Sequence, residues 1–164
     1  MPKTMRFPIF PWQHGYPPTW RGRYARLNRI EQNLMTVYLE VFEKDISEVW
    51  YDVRTDGQPE HLQRALPTDI TDDPAMLRMW WHQNAKRIDA VTLQKGRYRI
   101  VELRDTTGPQ TLGELTQYQT LARAQWPELP WGQTILVTRH FDILIMRVLT
   151  DQGFAVYKPG DPHP

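Results

Sequence analysis

The sequence predicts an α/β domain: a mixed sheet flanked by helices, with an extended N-terminal arm in front of it. Three observations carry that expectation. Apolar residues recur at three- and four-residue spacing from Leu27 to Val41, which is one face of a helix. Residues 87–104 alternate on both sides of Gln94-Lys95-Gly96, the pattern of a β-hairpin. After the hairpin a helical stretch leads into a short apolar strand, and a strand–helix–strand connection brings a parallel pair into the sheet.

The first 25 residues are rich in proline and aromatics, with Phe7, Phe10, Trp12, Tyr16, Trp20 and Tyr24 set among Pro8, Pro11, Pro17 and Pro18. Disordered segments are poor in aromatics, and extended proline segments lose little entropy on docking. Residues 1–25 are therefore an arm that packs on its own body or on a partner chain, with Phe7, Phe10, Trp12, Tyr16, Trp20, Arg21 and Arg23 as its contact residues. The arm is also basic. Lys3, Arg6, Arg21, Arg23, Arg26 and Arg29 occur before residue 31 with no acidic residue among them. The rest of the chain holds 14 basic and 19 acidic residues, a net −5, so the overall charge of +1 hides an uneven distribution. Such an arm suits phosphates or an acidic protein surface, and a solvated tail has the same composition.

The body follows as residues 26–158, with a tail at 159–164. A helix is expected over residues 27–44, then a short strand at Val49–Arg54 and a turn at Asp56-Gly57. Residues 61–74 are polar and punctuated by proline, hence a loop, and Trp80-Trp81 open the next ordered stretch. The hairpin comes next. Thr111-Leu-Gly-Glu114 has the form of a capping box, with Thr111 as cap, starting a helix from Leu112 to about Ala124. Thr134–Thr138 is a strand buried within the sheet. Phe141, Ile145, Val148 and Leu149 favour a helix ending at Gly153 before a last strand, Phe154–Tyr157; a hairpin through Thr150–Gly153 is the rival reading.

Composition excludes several function classes. The chain has 164 residues, 40% of them hydrophobic and 7 of them Trp, which suits one domain with a real core. It has no cysteine, so disulfides, thiolate metal sites and a cysteine nucleophile are ruled out, and a reducing cytosol fits. No apolar run approaches the roughly 20 residues that span a bilayer, and prolines break the N-terminus where a signal peptide would be apolar. No membrane partner is expected. The five histidines have no metal-ligand spacing among them.

Two carboxylates and a cation stand out on the hairpin. They lie in Arg87-Ile88-Asp89-Ala90-Val91 and in Tyr98-Arg99-Ile100-Val101-Glu102-Leu103-Arg104, followed by Leu112-Gly-Glu-Leu-Thr-Gln-Tyr118. On residue type alone, Asp89 could be a solvated strand end and Glu102 with Arg104 a charged strand face. The three segments together resemble the PD-(D/E)XK nuclease superfamily, and more narrowly small phage-encoded nuclease-like proteins. The resemblance spans roughly residues 27–157, and its specific part is 87–118.

The resemblance implies an αβββαβ restriction-endonuclease-like core and a Mg²⁺ or Mn²⁺ ion held by Asp89, Glu102 and the Leu103 carbonyl, with Glu31 as a supporting acid. Phosphodiester hydrolysis needs such an ion to offset charge on the phosphate and to lower the pKa of a bound water. It also implies a catalytic set of Asp89, Glu102, Arg104 and Glu114. Two members depart from the pattern: Arg104 stands where the family has Lys, and Glu114 where it has Gln. A guanidinium is planar, bulky and never deprotonated, and it pairs readily with carboxylates. The leading expectation is consequently a phage virion structural protein, of the neck or head–tail connector type, on a nuclease-like fold that no longer cuts. It would be made in the host cytoplasm and built into the particle, as a homo-oligomer or against neighbouring virion proteins through residues 1–25. The alternatives are an active Mg²⁺- or Mn²⁺-dependent deoxyribonuclease and a nucleic-acid-binding module that does not cleave.

Overall fold

Strands buried on both faces, with one helix before them and two between the later ones, assemble into an α/β fold. The computed structural model describes residues 10–11, 13–24, 26–55, 73, 75–76 and 86–160. Its elements are α1 (Arg29–Phe42), β1 (Ile46–Thr55), β2 (Lys86–Gln94), β3 (Arg97–Thr106), α2 (Pro109–Gln125), β4 (Ile135–His140), α3 (Ile143–Asp151) and β5 (Ala155–Tyr157). The five strands form a mixed sheet in the order β1-β2-β3-β4-β5. The first three are antiparallel, and β4 and β5 join in parallel. The fold class, the hairpin and the final helix–strand pair are as the sequence predicts. The Asp56-Gly57 turn, the 61–72 part of the loop and Trp80-Trp81 lie outside the described residues.

Two helix starts differ from expectation, and both have a local cause. Asn28 caps α1, accepting the Glu31 N–H at 2.9 Å while the Glu31 carboxylate accepts the Asn28 N–H at 2.9 Å. This reciprocal pair starts the helix two residues later than the apolar periodicity alone. At α2 the helix begins earlier, because Pro109 takes the first position, where its missing N–H costs nothing. Thr111 is then the third helical residue, and its hydroxyl accepts the Gly108 N–H at 3.1 Å. Glu114 takes no part in this cap, so the capping role expected of it is corrected: it is free to face the sheet.

The two faces of the sheet carry separate cores. Leu34, Met35, Tyr38 and Leu39 of α1 pack on Val49, Tyr51, Val101, Leu103 and Val137. On the other face, Leu115, Ala122 and Leu149 of α2 and α3 meet Ile100 and Leu136, together with Trp50 and Trp126. The turn between β2 and β3 has just two residues, Lys95 and Gly96, both at positive φ (49° and 75°), the backbone that joins twisted antiparallel strands tightly. Asp45 steadies it, accepting the Lys95 N–H at 2.9 Å and pairing with the ammonium at 3.1 Å.

The N-terminal segment packs on its own chain. Tyr16 bridges Val49 through two backbone hydrogen bonds along the outer edge of β1. Phe10 is 5% exposed and inserts edge-on against Trp50 at 5.3 Å and Trp126 at 4.9 Å, with Tyr98 and Trp131 closing the cage. Tyr16 and Trp20 stack on each other at 4.4 Å over Tyr51. Phe7 and Trp12 lie outside the described residues. Deleting a buried aromatic ring from such a cage costs about 3–5 kcal/mol. Phe10→Ala is therefore expected to lower the urea midpoint by a matching amount, read by tryptophan fluorescence. An unchanged midpoint would show that the cage does not hold the domain together.

Candidate active site

The hairpin turn fixes which residues face each other. With Gln94 opposite Arg97, the register runs through Ala90 opposite Val101 and stops there. The next pair in line is Asp89 and Glu102. Beyond it, β2 continues with β1 and β3 continues with β4, so the two middle strands part like a fork. A Leu103 N–H at the fork needs an acceptor, and the Asp89 carboxylate supplies it at 2.9 Å. The Asp89 N–H lies at a long 3.5 Å from Glu102 Oε2.

The distortion extends into β1. Asp52 lies between the pairs Tyr51–Ala90 and Val53–Ile88 and adopts a left-handed φ of 52°, rare for a residue with a side chain. As a result Trp50 and Val53 share one face, and so do Ile88 and Val91, a spacing of three that a regular strand does not give. The sheet is irregular at one level across three strands, and the carboxylates sit at that level.

Glu102 is 1% exposed. Its Oε1 lies 2.8 Å from Nη2 of Arg104, two residues along the same strand, and the same Nη2 reaches the Glu114 carboxylate on α2. Arg104 therefore bridges a buried acid on the sheet and a half-exposed acid on the helix. Burial pushes the Asp89 carboxyl up to about 6, against the pull of the Leu103 N–H and Arg104, and Glu31 adds a further push. Burial, then the charge of Asp89, holds Glu102 well above the usual carboxylate range, with Arg104 opposing. Burial works against the charge of Arg104, but Glu102 and Glu114 outweigh it and hold the guanidinium protonated.

Asp89, Glu102, Leu103, Arg104 and Glu114 are thus brought together. Glu31 acts on Asp89 by charge, while its carboxylate is engaged in the α1 cap. Tyr118 belongs with them although sequence reasoning did not single it out as a site residue. Burial, with the charges of Glu102 and Glu114, pushes its hydroxyl up to about 12. The signal was its position one turn after Glu114 on the same helix face. Of the arm residues, Phe10, Tyr16 and Trp20 are packed on the body, and Arg21 and Arg23 are exposed beside α1.

Two oxygen-bearing carboxylates and a backbone carbonyl are the donor chemistry of a hard divalent cation such as Mg²⁺ or Mn²⁺. Asp89 and Glu102 stand in line across the parted strands, and the donor set fits such an ion in that respect. Among the described residues, no three His, Asp or Glu side chains form a metal-ligating group by themselves. The Leu103 carbonyl and water would have to complete the set. Nor is any helix among them long and apolar enough to cross a membrane.

No protein-family model matches the chain, and no curated protein does. A solved structure of a repair endonuclease from Pyrococcus abyssi is similar in fold, with a TM-score of 0.54 over 86% of this chain at 13% identity. The chain spans half the length of that protein. The fold is nuclease-like.

Two outcomes follow from the charges. Arg104→Ala leaves Glu102 buried without its counter-ion, and breaking such a pair costs about 3 kcal/mol. Urea denaturation near neutral pH should show that loss, and it should shrink toward pH 4 as Glu102 takes a proton; a loss independent of pH would assign it to packing. The second concerns Asp89. Its carboxyl is raised in the folded chain, so its contribution to stability is complete below the ordinary aspartate range and is lost as pH rises through about 6. Asp89→Asn keeps an acceptor for Leu103 and should gain on the wild type between pH 4 and 7. Parallel stability curves for the two would contradict the burial argument.

Proposed function

We propose that the chain is a divalent-cation-dependent nuclease, with Asp89, Glu102 and the Leu103 carbonyl as the cation's ligands. The observation that carries this reading is the fork: two carboxylates on adjacent antiparallel strands, Glu102 buried and Asp89 partly buried, at the level where β2 and β3 part. The nuclease-like fold supports it. A bound cation would supply charge neutralisation for a scissile phosphate and a water acidified for attack. The chain's own residues do the rest. Asp89 is oriented by the Leu103 N–H, and Glu102 is held by Arg104. Arg104 keeps a permanent positive charge beside both, where it can stabilise negative charge that builds on a phosphoryl group. Glu114 holds the same Nη2 of the guanidinium, so Arg104 keeps an anchor when a cation competes for Glu102.

A second reading has a specific observation of its own. The 2.8 Å contact of Arg104 with Glu102 places a protein cation on one of the two acids. If that ion pair is permanent, the chain is a nucleic-acid-binding module that does not cleave. The virion role draws no support from the fold or the similar structure, and partners through residues 1–25 would have to bind a segment whose Phe10, Tyr16 and Trp20 already pack on the body.

Supercoiled, linear and single-stranded DNA with Mg²⁺ or Mn²⁺ separate these readings. Cleavage by the wild type, abolished in Asp89→Asn and Glu102→Gln, is the expected outcome. Silence of the wild type with activity in Arg104→Lys would assign the ion pair the role of a permanent plug. In parallel, Mn²⁺ should raise the melting temperature of the wild type through linkage, and Asp89→Asn should lose that rise. A wild type inert to both cation and DNA would end the nuclease reading.

A further inference from the structure

Residues 21–23 run along α1 and border a cleft of about 580 Å³. Arg21, Arg23 and Arg29 line it, with the side-chain amides of Asn28, Gln32 and Asn33 between them. Gln32 builds its wall: Oε1 accepts the Tyr24 N–H at 3.1 Å, and Nε2 donates to the Gly22 carbonyl at 3.4 Å. Gly22 packs so tightly beneath Trp20 that an added methyl group would fall 2.1 Å from the indole. The cleft is thus tied at both ends of its outer strand to the body. Arg21 leans toward Glu43 at 3.7 Å and onto the carbonyl groups of Pro18 and Trp20, and Arg23 and Arg29 are exposed.

The lining selects the ligand. Apart from Gly22 and Leu27, every residue of the lining has a polar or charged side chain. Guanidinium groups and amides are the donors that phosphate oxygens take. One acid, Glu40, lies in the lining, from the last turn of α1.

We infer that this cleft seats the phosphodiester backbone of a nucleic-acid strand, with Arg23 and Arg29 as its principal phosphate contacts. The inference rests on the nuclease reading for its choice of ligand, and binding can be measured separately from cleavage. It gives Arg21, Arg23 and Arg29 a shared place in the fold: they line one track.

The test uses the full chain and a fluorescein-labelled oligonucleotide, single-stranded and duplex, with anisotropy read over a series of salt concentrations without divalent cation. Arg23→Glu with Arg29→Glu should weaken binding at least about tenfold and flatten the dependence of log K on log salt by about 2. Arg97→Glu with Arg123→Glu makes the same change in net charge, at the hairpin end of β3 and on α2 across the sheet; it should leave affinity within about twofold. Circular dichroism and urea midpoints check that both variants fold, which the exposure of all four side chains favours. Equal losses in the two variants would mean that net charge alone is sensed and would overturn the inference, as would absence of binding by the wild type. Cleft-dependent binding without cleavage upholds the inference and removes the nuclease reading. Cleavage with binding indifferent to Arg23 and Arg29 does the reverse.

Discussion

A β-sheet has to provide a partner for each buried N–H, and at one level of this sheet the neighbouring strand does not. The Leu103 N–H is met there by the Asp89 side chain. Much of the candidate site follows from that substitution. Because a carboxylate stands in for a backbone carbonyl, β2 and β3 can separate. Because they separate, a second carboxylate fits between the layers, and Glu102 is buried at 1% exposure. A buried acid next to another calls for a counter-charge. Arg104, two residues on and on the same face, provides it and in turn draws Glu114 of α2 toward the sheet.

The hairpin was legible because two signals agreed: alternation on both sides and a Gln94-Lys95-Gly96 turn ending in glycine. The candidate site was legible through the resemblance carried by residues 87–118. The register was not: the turn closes on Lys95 and Gly96 alone, and that length puts Asp89 in line with Glu102. Nor could the opening of the sheet between them be read. Nothing in the residues around Asp52 announces a left-handed backbone, and the fork emerges only when three strands are stacked.

The start of α2 shows a different limit. Thr111 and Glu114 have the spacing of a cap, and the pattern is satisfied on paper. In the fold, Pro109 begins the helix earlier, and Glu114 has a stronger partner ten residues back in sequence. Local pattern and tertiary charge competed for the same carboxylate, and charge won. The N-terminal segment lay between these cases. Its aromatics signalled docking, but composition could not distinguish the chain's own body from a neighbour. The hydrogen-bonded bridge between Tyr16 and Val49 identifies the body as its seat.

The aromatic cage has a consequence for how the chain is made. Phe10 is synthesised before every member of its cage, which is built by Trp50, Tyr98, Trp126 and Trp131. The first of these follows 40 residues later and the last 121. Until they have been made, a large aromatic group lacks its seat. The apolar surface between β1 and α2 stays equally open. Contacts of such long sequence separation form late, since the loop they close must be ordered first. Completion of the domain is therefore tied to synthesis through Trp131. A nascent chain stalled before Trp126 would expose apolar surface at both ends of the same missing contact, the kind of species that chaperones bind.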